Sequence, residues 1–158
     1  MSEQKGFSLI ELIIVVVIIG IIASIAIPNL IAARRTANEA SAVSGLRLIH
    51  SSEVSYQNTT GAGSFGTLVA LNSAGFIDSS LSVGKKSGYS FNLTTGTTPN
   101  GNLPRYATAA VPLTTTGLGM TGSHDYGVGS EGTLYIGDPG TITSVSGALA
   151  GANTVFDR

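Results

Sequence analysis

Residues 7–28, FSLIELIIVVVIIGIIASIAIP, form an apolar run in which Glu11 is the only charged residue. At about 1.5 Å of rise per residue, a helix of this length crosses a hydrocarbon core of roughly 30 Å. The run therefore predicts a membrane-spanning helix, and the remaining segments of the chain follow it in sequence.

The carboxylate of Glu11 is the anomaly in this run. A charged carboxylate at the centre of a membrane helix costs about 2.5–3.5 kcal/mol on insertion scales, and less near the edge of the span, where Glu11 lies. Chance is therefore a poor explanation for a charged residue at this position. We therefore expect Glu11 to have a function and a partner.

The segment KGFSLIE, residues 5–11, resembles the prepilin-peptidase recognition segment of type IV prepilins and type II secretion pseudopilins. The resemblance implies that the chain is cut after Gly6 and that Phe7 becomes the N-methylated first residue. It also implies that Glu11 docks onto the Phe7 amine of a neighbouring subunit during assembly. The likeness continues through Pro28 into the next helix and becomes one of general layout beyond Tyr56.

The resemblance makes residues 1–6 a short leader and retains the apolar run in the mature protein. Loop charges do not support one orientation, since Lys5 precedes the span while Arg34 and Arg35 follow it, which opposes the positive-inside tendency. An inward-facing N-terminus therefore rests on the resemblance. The expected location is the bacterial inner membrane for the precursor, then an extracellular pilus or a periplasmic pseudopilus.

Gly20 and Pro28 are the weak helix positions in the span. Glycine costs nearly 1 kcal/mol relative to alanine inside a helix, and proline removes one amide donor and crowds the carbonyl four residues earlier. Membrane helices tolerate both residues. Two interpretations stay open, a tolerated irregularity and a functional hinge at Gly20 and Pro28.

Residues 29–58 predict an amphipathic continuation of the helix, with one apolar face packed on a globular head. The remaining surface would carry charged residues, either solvated or in contact with other subunits. The expected packing face comprises Ala33, Ala37, Ala40, Val43, Leu46 and Ile49, and the expected surface charges are Arg34, Arg35, Glu39, Arg47 and Glu53.

Residues 59–158 predict the head, a small antiparallel sheet against the helix, so that the fold class is α+β. A short helix is expected over residues 68–76, closed by Gly75. Three alternating segments predict strands, namely residues 89–93, 106–111 and 133–136. Three or four strands are the smallest head that buries its aromatic residues. Val145 and Val155-Phe156 in the tail are available for an additional edge strand.

Composition removes several functional classes. The formal net charge of −1 gives no electrostatic basis for binding nucleic acid. The absence of cysteine excludes disulfides and thiolate metal sites, in contrast to pilins that close a C-terminal loop with a disulfide. We expect no cofactor and no metal.

Three patterns in the head suggest catalysis or ligand binding but lack the required context. Residues 117–122 and 127–132 both fit G-x-G-x-x-G, yet no amphipathic helix follows either, so turn glycines are favoured. Ser123-His124-Asp125 contains the residue types of a catalytic triad, but adjacent side chains diverge. His50 lacks obvious metal partners. Asp125, Glu131 and Asp138 could at most form a calcium site, and solvated loop carboxylates are favoured.

These observations predict a structural subunit of a type IV pilus rather than an enzyme. The resemblance implies processing by a prepilin peptidase and methyltransferase, polymerisation with its own copies through the N-terminal helices, and contact with a pilus assembly platform. A major pseudopilin of a type II secretion system is the alternative within the same family. A membrane-anchored enzyme or binding protein is the alternative of another class; it would need a pocket with convergent titratable groups, which the sequence does not display.

Overall fold

The structure is a computed structural model that describes residues 7–98, 101, 103–151 and 154–155. The expected leader, residues 1–6, lies outside the described residues. The chain divides into two compact units, one ending at Arg34 and one beginning at Arg35. Each unit is described by itself.

Helix α1 runs without interruption from Leu9 to Asn58 and contains Pro28. The two segments expected from the sequence, residues 7–28 and 29–58, thus form one helix. Its first part is apolar on all sides, while the part after Arg35 buries one face against the head.

The buried face of α1 differs from the one expected. Leu46 and Ile49 are fully buried as predicted, and Val43 packs against the core. The alanines at 33, 37 and 40 are exposed, so this part of the prediction was wrong, as was the solvated position expected for Glu53. The observed buried residues are Ala42, Gly45, Leu46, Ile49, Ser52 and Glu53. Spacings of three and four residues between them keep this stripe on one side of the helix.

Two short helices follow α1. Helix α2, Leu68–Ser73, begins where the sequence predicted but ends before Gly75, and Thr67 caps it by accepting from the Ala70 amide at 3.2 Å. Helix α3, Ser79–Ser82, was not predicted. Asp78 caps it by accepting from the Leu81 amide at 2.9 Å.

The head contains a six-stranded antiparallel sheet and a separate two-stranded hairpin. The expected α+β class is therefore confirmed, although three or four strands was too few. The large sheet has the order β1-β2-β3-β4-β5-β8. Its strands are β1 Lys85–Lys86, β2 Tyr89–Thr97, β3 Pro104–Pro112, β4 Asp125–Gly129, β5 Leu134–Gly137 and β8 Thr154–Val155; the hairpin comprises β6 Thr143–Val145 and β7 Ala148–Ala150.

The predicted strands correspond to β2, β3 and β5, and the edge strand suggested for the tail is β8, which pairs with β5. Phe156 lies outside the described residues. Strand β4 was missed because its glycines were assigned to a turn. Gly127 and Gly129 instead lie in the strand, and only residues 130–132 form the turn that follows.

The sheet has two covered faces. Side chains of Tyr106, Val128 and Leu134 join the core cluster with Leu46 and Ile49 of α1. The residues between them point to the opposite face because side chains alternate along a strand. Strands β6 and β7 pack on β2 and β3, and a Cβ placed on Gly127 would lie 2.9 Å from Ile142 and Leu149. The β6–β7 hairpin therefore covers the face that turns away from α1.

Candidate functional site

The first part of α1 presents a continuous apolar surface that its own unit does not cover. Every large apolar side chain from Phe7 to Leu30 is between 48% and 80% exposed. Soluble monomers rarely expose apolar patches of this extent. The helix also satisfies the length and composition required of a membrane span, with a mean hydropathy of 3.1 over its most apolar window. By length and composition, this helix could therefore cross a membrane.

Glu11 lies in the first turn of this helix. Its Oε2 accepts a hydrogen bond from the backbone N–H of Ser8 at 2.9 Å. This contact is half of a capping box, in which the residue at the third helical position caps the backbone at the helix start. The positive end of the helix dipole adds about 1 kcal/mol at most to the stabilisation of the carboxylate. Glu11 therefore has a partner within its own first turn, and Gly6 lies outside the described residues.

The predicted hinge positions sit in intact helix. A Cβ placed on Gly20 would have no atom within 4 Å, so no packing in this unit requires glycine there. Around Pro28, the Ser24 hydroxyl donates to the Ile21 carbonyl at 2.7 Å, and the Asn29 side chain donates to the Ile25 carbonyl at 3.1 Å. Such side-chain bonds to the backbone compete with helical hydrogen bonding.

The residues of the triad-like segment have separate partners. The Ser123 backbone N–H donates to Glu39 Oε1 at 2.6 Å, and His124 Nδ1 lies 3.9 Å from the same oxygen. Asp125 faces the hairpin instead, where its Oδ2 accepts from the amides of Gly140 and Ile142. Ser123, His124 and Asp125 therefore form no catalytic relay.

The two G-x-G-x-x-G segments and the three candidate calcium carboxylates can also be placed in the structure. The 117–122 segment is a loop that leads into β4, and the 127–132 segment is strand and turn, so neither presents a helix N-terminus to a phosphate. Within the described part of the chain, no group of three or more His, Cys, Asp or Glu side chains is placed to hold a metal ion. The structure thus gives no support to the calcium alternative at Asp125, Glu131 and Asp138.

A buried polar cluster under the α1–α2 loop was missed from the sequence. Glu53 is fully buried, its Oε2 accepts from the Gly66 amide at 2.9 Å, and its Oε1 has no hydrogen-bond partner among the described residues. His50 Nδ1 and the Tyr106 hydroxyl share a hydrogen bond. The ring of Phe65 packs edge-on against Tyr106 at 4.8 Å between centroids. Glu53 could have been found, because it follows Leu46 and Ile49 at helical spacing.

Burial perturbs the acids and phenols of this head. Desolvation raises the pKa of Glu53 from 4.5 to about 7, and the Gly66 amide lowers it only partly. Burial also raises the pKa of Tyr106, with smaller contributions from the charges of Glu53 and Glu131. The pKa of Asp125 is raised for the same reason, against the opposing amides of Ile142, Gly140 and Thr141. Burial raises the pKa of Tyr126 to about 12.

The fold and the exposed helix together define a class: α+β proteins whose N-terminal helix is long and apolar enough to cross a membrane. Residues 1–27 match the family described as the prokaryotic N-terminal methylation motif. No solved structure matches the chain.

Three relatives match segments of 39 to 54 residues of this chain. It is 59% identical over 39 residues, 25% of this chain and 30% of the relative, to the type IV wide pilus major component PilA4 of Thermus thermophilus. It is 42% identical over 45 residues, 28% of this chain and 31% of the relative, to the type II secretion system core protein G of Escherichia coli. It is 43% identical over 54 residues, 34% of this chain and 24% of the relative, to the type IV major pilin protein PilA of Myxococcus xanthus.

The chain spans less than a third of the length of each of these relatives. The methylation motif and these relatives show that part of the chain is similar to type IV pilins and to type II secretion pseudopilins.

The raised pKa of Glu53 predicts an unusual pH dependence of stability. The folded state favours the neutral acid, so it binds more protons than the unfolded chain between pH 4.5 and about 7. The contribution of Glu53 to the free energy of unfolding should be complete below pH 4.5 and should fall by up to about 3 kcal/mol as the pH rises through 7. Urea unfolding of the detergent-solubilised chain, followed by tyrosine near-ultraviolet circular dichroism, measures this decrease.

A Glu53→Gln variant isolates this contribution, because glutamine keeps the size and the acceptor for Gly66 but does not titrate. The difference in unfolding free energy between wild type and variant should change with pH over this window. Glu131→Gln is the control, since Glu131 is exposed, and it should leave the pH profile unchanged. A constant difference between wild type and Glu53→Gln from pH 4 to 8 would contradict the assignment.

Proposed function

We propose that this chain is a structural subunit of a type IV pilus. The precursor is held in the bacterial inner membrane by α1, cut between Gly6 and Phe7, methylated at the new amine and polymerised through α1 into an extracellular filament. The observation that carries the proposal is the exposed apolar part of α1, most of which lies within the segment that matches the methylation motif. The partners are then other copies of the chain, the prepilin peptidase and methyltransferase, and the pilus assembly platform.

The exposed surface of α1 explains why such a subunit would polymerise. In the membrane, lipid covers the side chains from Phe7 to Leu30. Outside the membrane, the same surface can leave water only by packing against other apolar helices, at roughly 25 cal/mol per Å² of area covered. Copies of the chain supply such helices in identical form. A structural role agrees with the relatives, which include a major pilin and a wide-pilus major component.

Glu11 gives the proposed assembly its register. Cleavage before Phe7 creates an α-amine near the carboxylate, and the amine of one subunit pairs with Glu11 of another. In the isolated chain the carboxylate accepts from Ser8. Assembly adds a charged donor to a carboxylate that already lies in the first turn of the helix. The two charges then offset each other in the apolar filament interior.

A pseudopilin of a type II secretion system is the second candidate. The match to core protein G of Escherichia coli, 42% identical over 45 residues, favours it. Such a subunit would assemble by the same helix into a short periplasmic filament. The match covers 28% of this chain, and relatives of both kinds match it to a similar extent. The location of the filament, outside the cell or within the periplasm, therefore decides between the two candidates.

The direct test is electron microscopy of filaments sheared from the cell surface, with mass spectrometry of their main subunit. We expect long surface fibres composed of this chain beginning at N-methyl-Phe7. Gly6→Leu, which enlarges the residue before the cut, should leave full-length precursor in the membrane. Filaments confined to the periplasm would favour the pseudopilin, and surface filaments that retain residues 1–6 would refute the processing.

Glu11→Gln tests the pairing. Glutamine keeps a hydrogen-bond acceptor for Ser8 but removes the charge, and a charge-assisted hydrogen bond contributes about 1.5–3 kcal/mol. We expect a stable, processed, membrane-held subunit whose filament yield falls about tenfold or more. Immunoblots of membrane and sheared fractions measure both pools, and the processed membrane pool is the internal control. A wild-type yield of filaments would exclude the pairing role.

The hinge makes a separate prediction for the filament. We propose that the segment from Gly20 to Pro28, helical in the isolated chain, is partly unwound after assembly, because its weak helix positions lower the cost and neighbouring helices cover the freed backbone groups. A filament map at residue resolution tests this. Continuous α-helix from Ser8 through Ala33 in the filament would exclude the unwinding.

A further inference from the structure

A groove of about 550 Å³ opens on the face of the sheet that turns away from α1, and we call it the outer groove. Its position follows from strand alternation, since Arg105, Gly129 and Tyr135 each adjoin a residue that packs in the α1 core. Its principal lining residues are Leu103, Arg105, Glu131, Tyr135, Gly147 and Leu149. The volume lies within the range typical of small-ligand sites.

Arg105 lines the outer groove. Its Nε is buried and makes no hydrogen bond to any residue that the structure describes. Two ion pairs are present among the described residues, Lys86–Asp78 and His124–Glu39. Arg105 is not part of either pair. A buried donor left without an acceptor costs about 1–3 kcal/mol, and more when the group is charged. A ligand in the groove would bind through the terminal Nη groups, which are not among the buried atoms without a partner.

The hairpin fixes the Arg105 side chain. A Cβ placed on Gly147, at the β6–β7 turn, would lie 2.9 Å from Arg105 Cγ and 2.8 Å from its carbonyl oxygen. Gly147 also has a φ of +74°, where other residues are strained. The glycine therefore allows the turn to press on the arginine stem, and the guanidinium is positioned by packing.

The remaining lining limits the kind of ligand. A guanidinium binds a carboxylate through two parallel hydrogen bonds. Glu131 is exposed on the same rim, where it repels a second negative charge but accepts hydrogen bonds from hydroxyl groups. Tyr135, Leu103 and Leu149 add apolar surface for the face of a ring. A ligand with one carboxylate, several hydroxyls and an apolar ring face satisfies all of these groups.

We propose that the outer groove binds acidic saccharides, with the sugar carboxylate on Arg105 and ring hydroxyls on Glu131. Polyphosphates and nucleic acids fit less well, because Glu131 opposes multiple negative charges and the chain has a formal net charge of −1. The site does not depend on the proposed filament, since it lies wholly within the head.

Isothermal titration calorimetry of the full, detergent-solubilised chain tests the proposal. The probes are sialyllactose and trigalacturonate, with lactose as the neutral counterpart of sialyllactose. We expect saturable binding of the acidic sugars and at least about tenfold weaker binding of lactose, since one charged hydrogen-bonding pair accounts for a factor of that size. Absence of saturable binding, or equal binding of lactose, overturns the proposal.

Variants assign the binding to the groove. Arg105→Gln should weaken sialyllactose binding about tenfold or more, Arg105→Lys should weaken it less, and Lys85→Gln, at an exposed cation on β1, should not change it. Glu131→Ala should act in opposite directions, because it removes the acceptor for the hydroxyls of sialyllactose and also removes the repulsion of inorganic sulfate. Near-ultraviolet circular dichroism verifies the fold, and the Glu131 variant decides the outcome if Arg105→Gln does not fold.

Two outcomes would assign the groove to something else. If oligoglutamate binds as tightly as sialyllactose, the groove recognises an acidic peptide and the saccharide proposal fails. If sialyllactose binds equally to wild type and Arg105→Gln, the binding lies elsewhere on the chain, and the proposal fails as well. Either result leaves the filament proposal intact, because filament yield and subunit processing are measured separately.

Discussion

The structure depends on one constraint: the first part of α1 carries an apolar surface that nothing in its own unit covers. From Phe7 to Leu30 the large apolar side chains are at least 48% exposed, whereas the later part of α1 buries Leu46 and Ile49 in the head. The two parts of this helix therefore have different surroundings. Its first part requires lipid or other helices, and its second part is the scaffold on which the sheet folds. A subunit that is stored in a membrane and later polymerises needs this division.

Glu11 shows how a charge can be accommodated in such a helix. The carboxylate takes the backbone donor of Ser8 at the start of the helix, where the first amides have no helical acceptor. This position lowers the cost of the charge without eliminating it, so the carboxylate remains available to a stronger donor. A carboxylate in the middle of the span would have no such amides. The place of Glu11 in the first turn thus matters as much as its charge.

The sequence was sufficient for α1, for three of the strands and for the α+β class, because periodicity and apolar content report local preference directly. It was insufficient where tertiary contacts decide. Gly127 and Gly129 in β4 looked like turn residues, yet a side chain at Gly127 would collide with Ile142 and Leu149 of the hairpin. Glu53 looked like a surface charge, but the α1–α2 loop folds over it. Arg105 in the outer groove belongs to no sequence motif. The residues that line the groove with it include hairpin residues more than forty positions later in the chain.

This head has no cysteine and hence no disulfides. Three carboxylates hold its loops instead, by accepting hydrogen bonds from backbone amides. Glu53 holds the α1–α2 loop through Gly66, Glu39 holds the segment before β4 through Ser123, and Asp125 holds the β5–β6 turn through Gly140 and Ile142. Each bond joins a side chain in a regular element to a backbone amide in a loop. Hydrogen bonds to charged groups contribute about 1.5–3 kcal/mol, but burial opposes ionisation and raises the pKa of both Glu53 and Asp125. Their contributions to stability therefore weaken as pH rises, the reverse of an exposed carboxylate paired with a base. A head anchored in this way holds its loops without covalent bonds, and its stability falls as the two buried acids lose their protons.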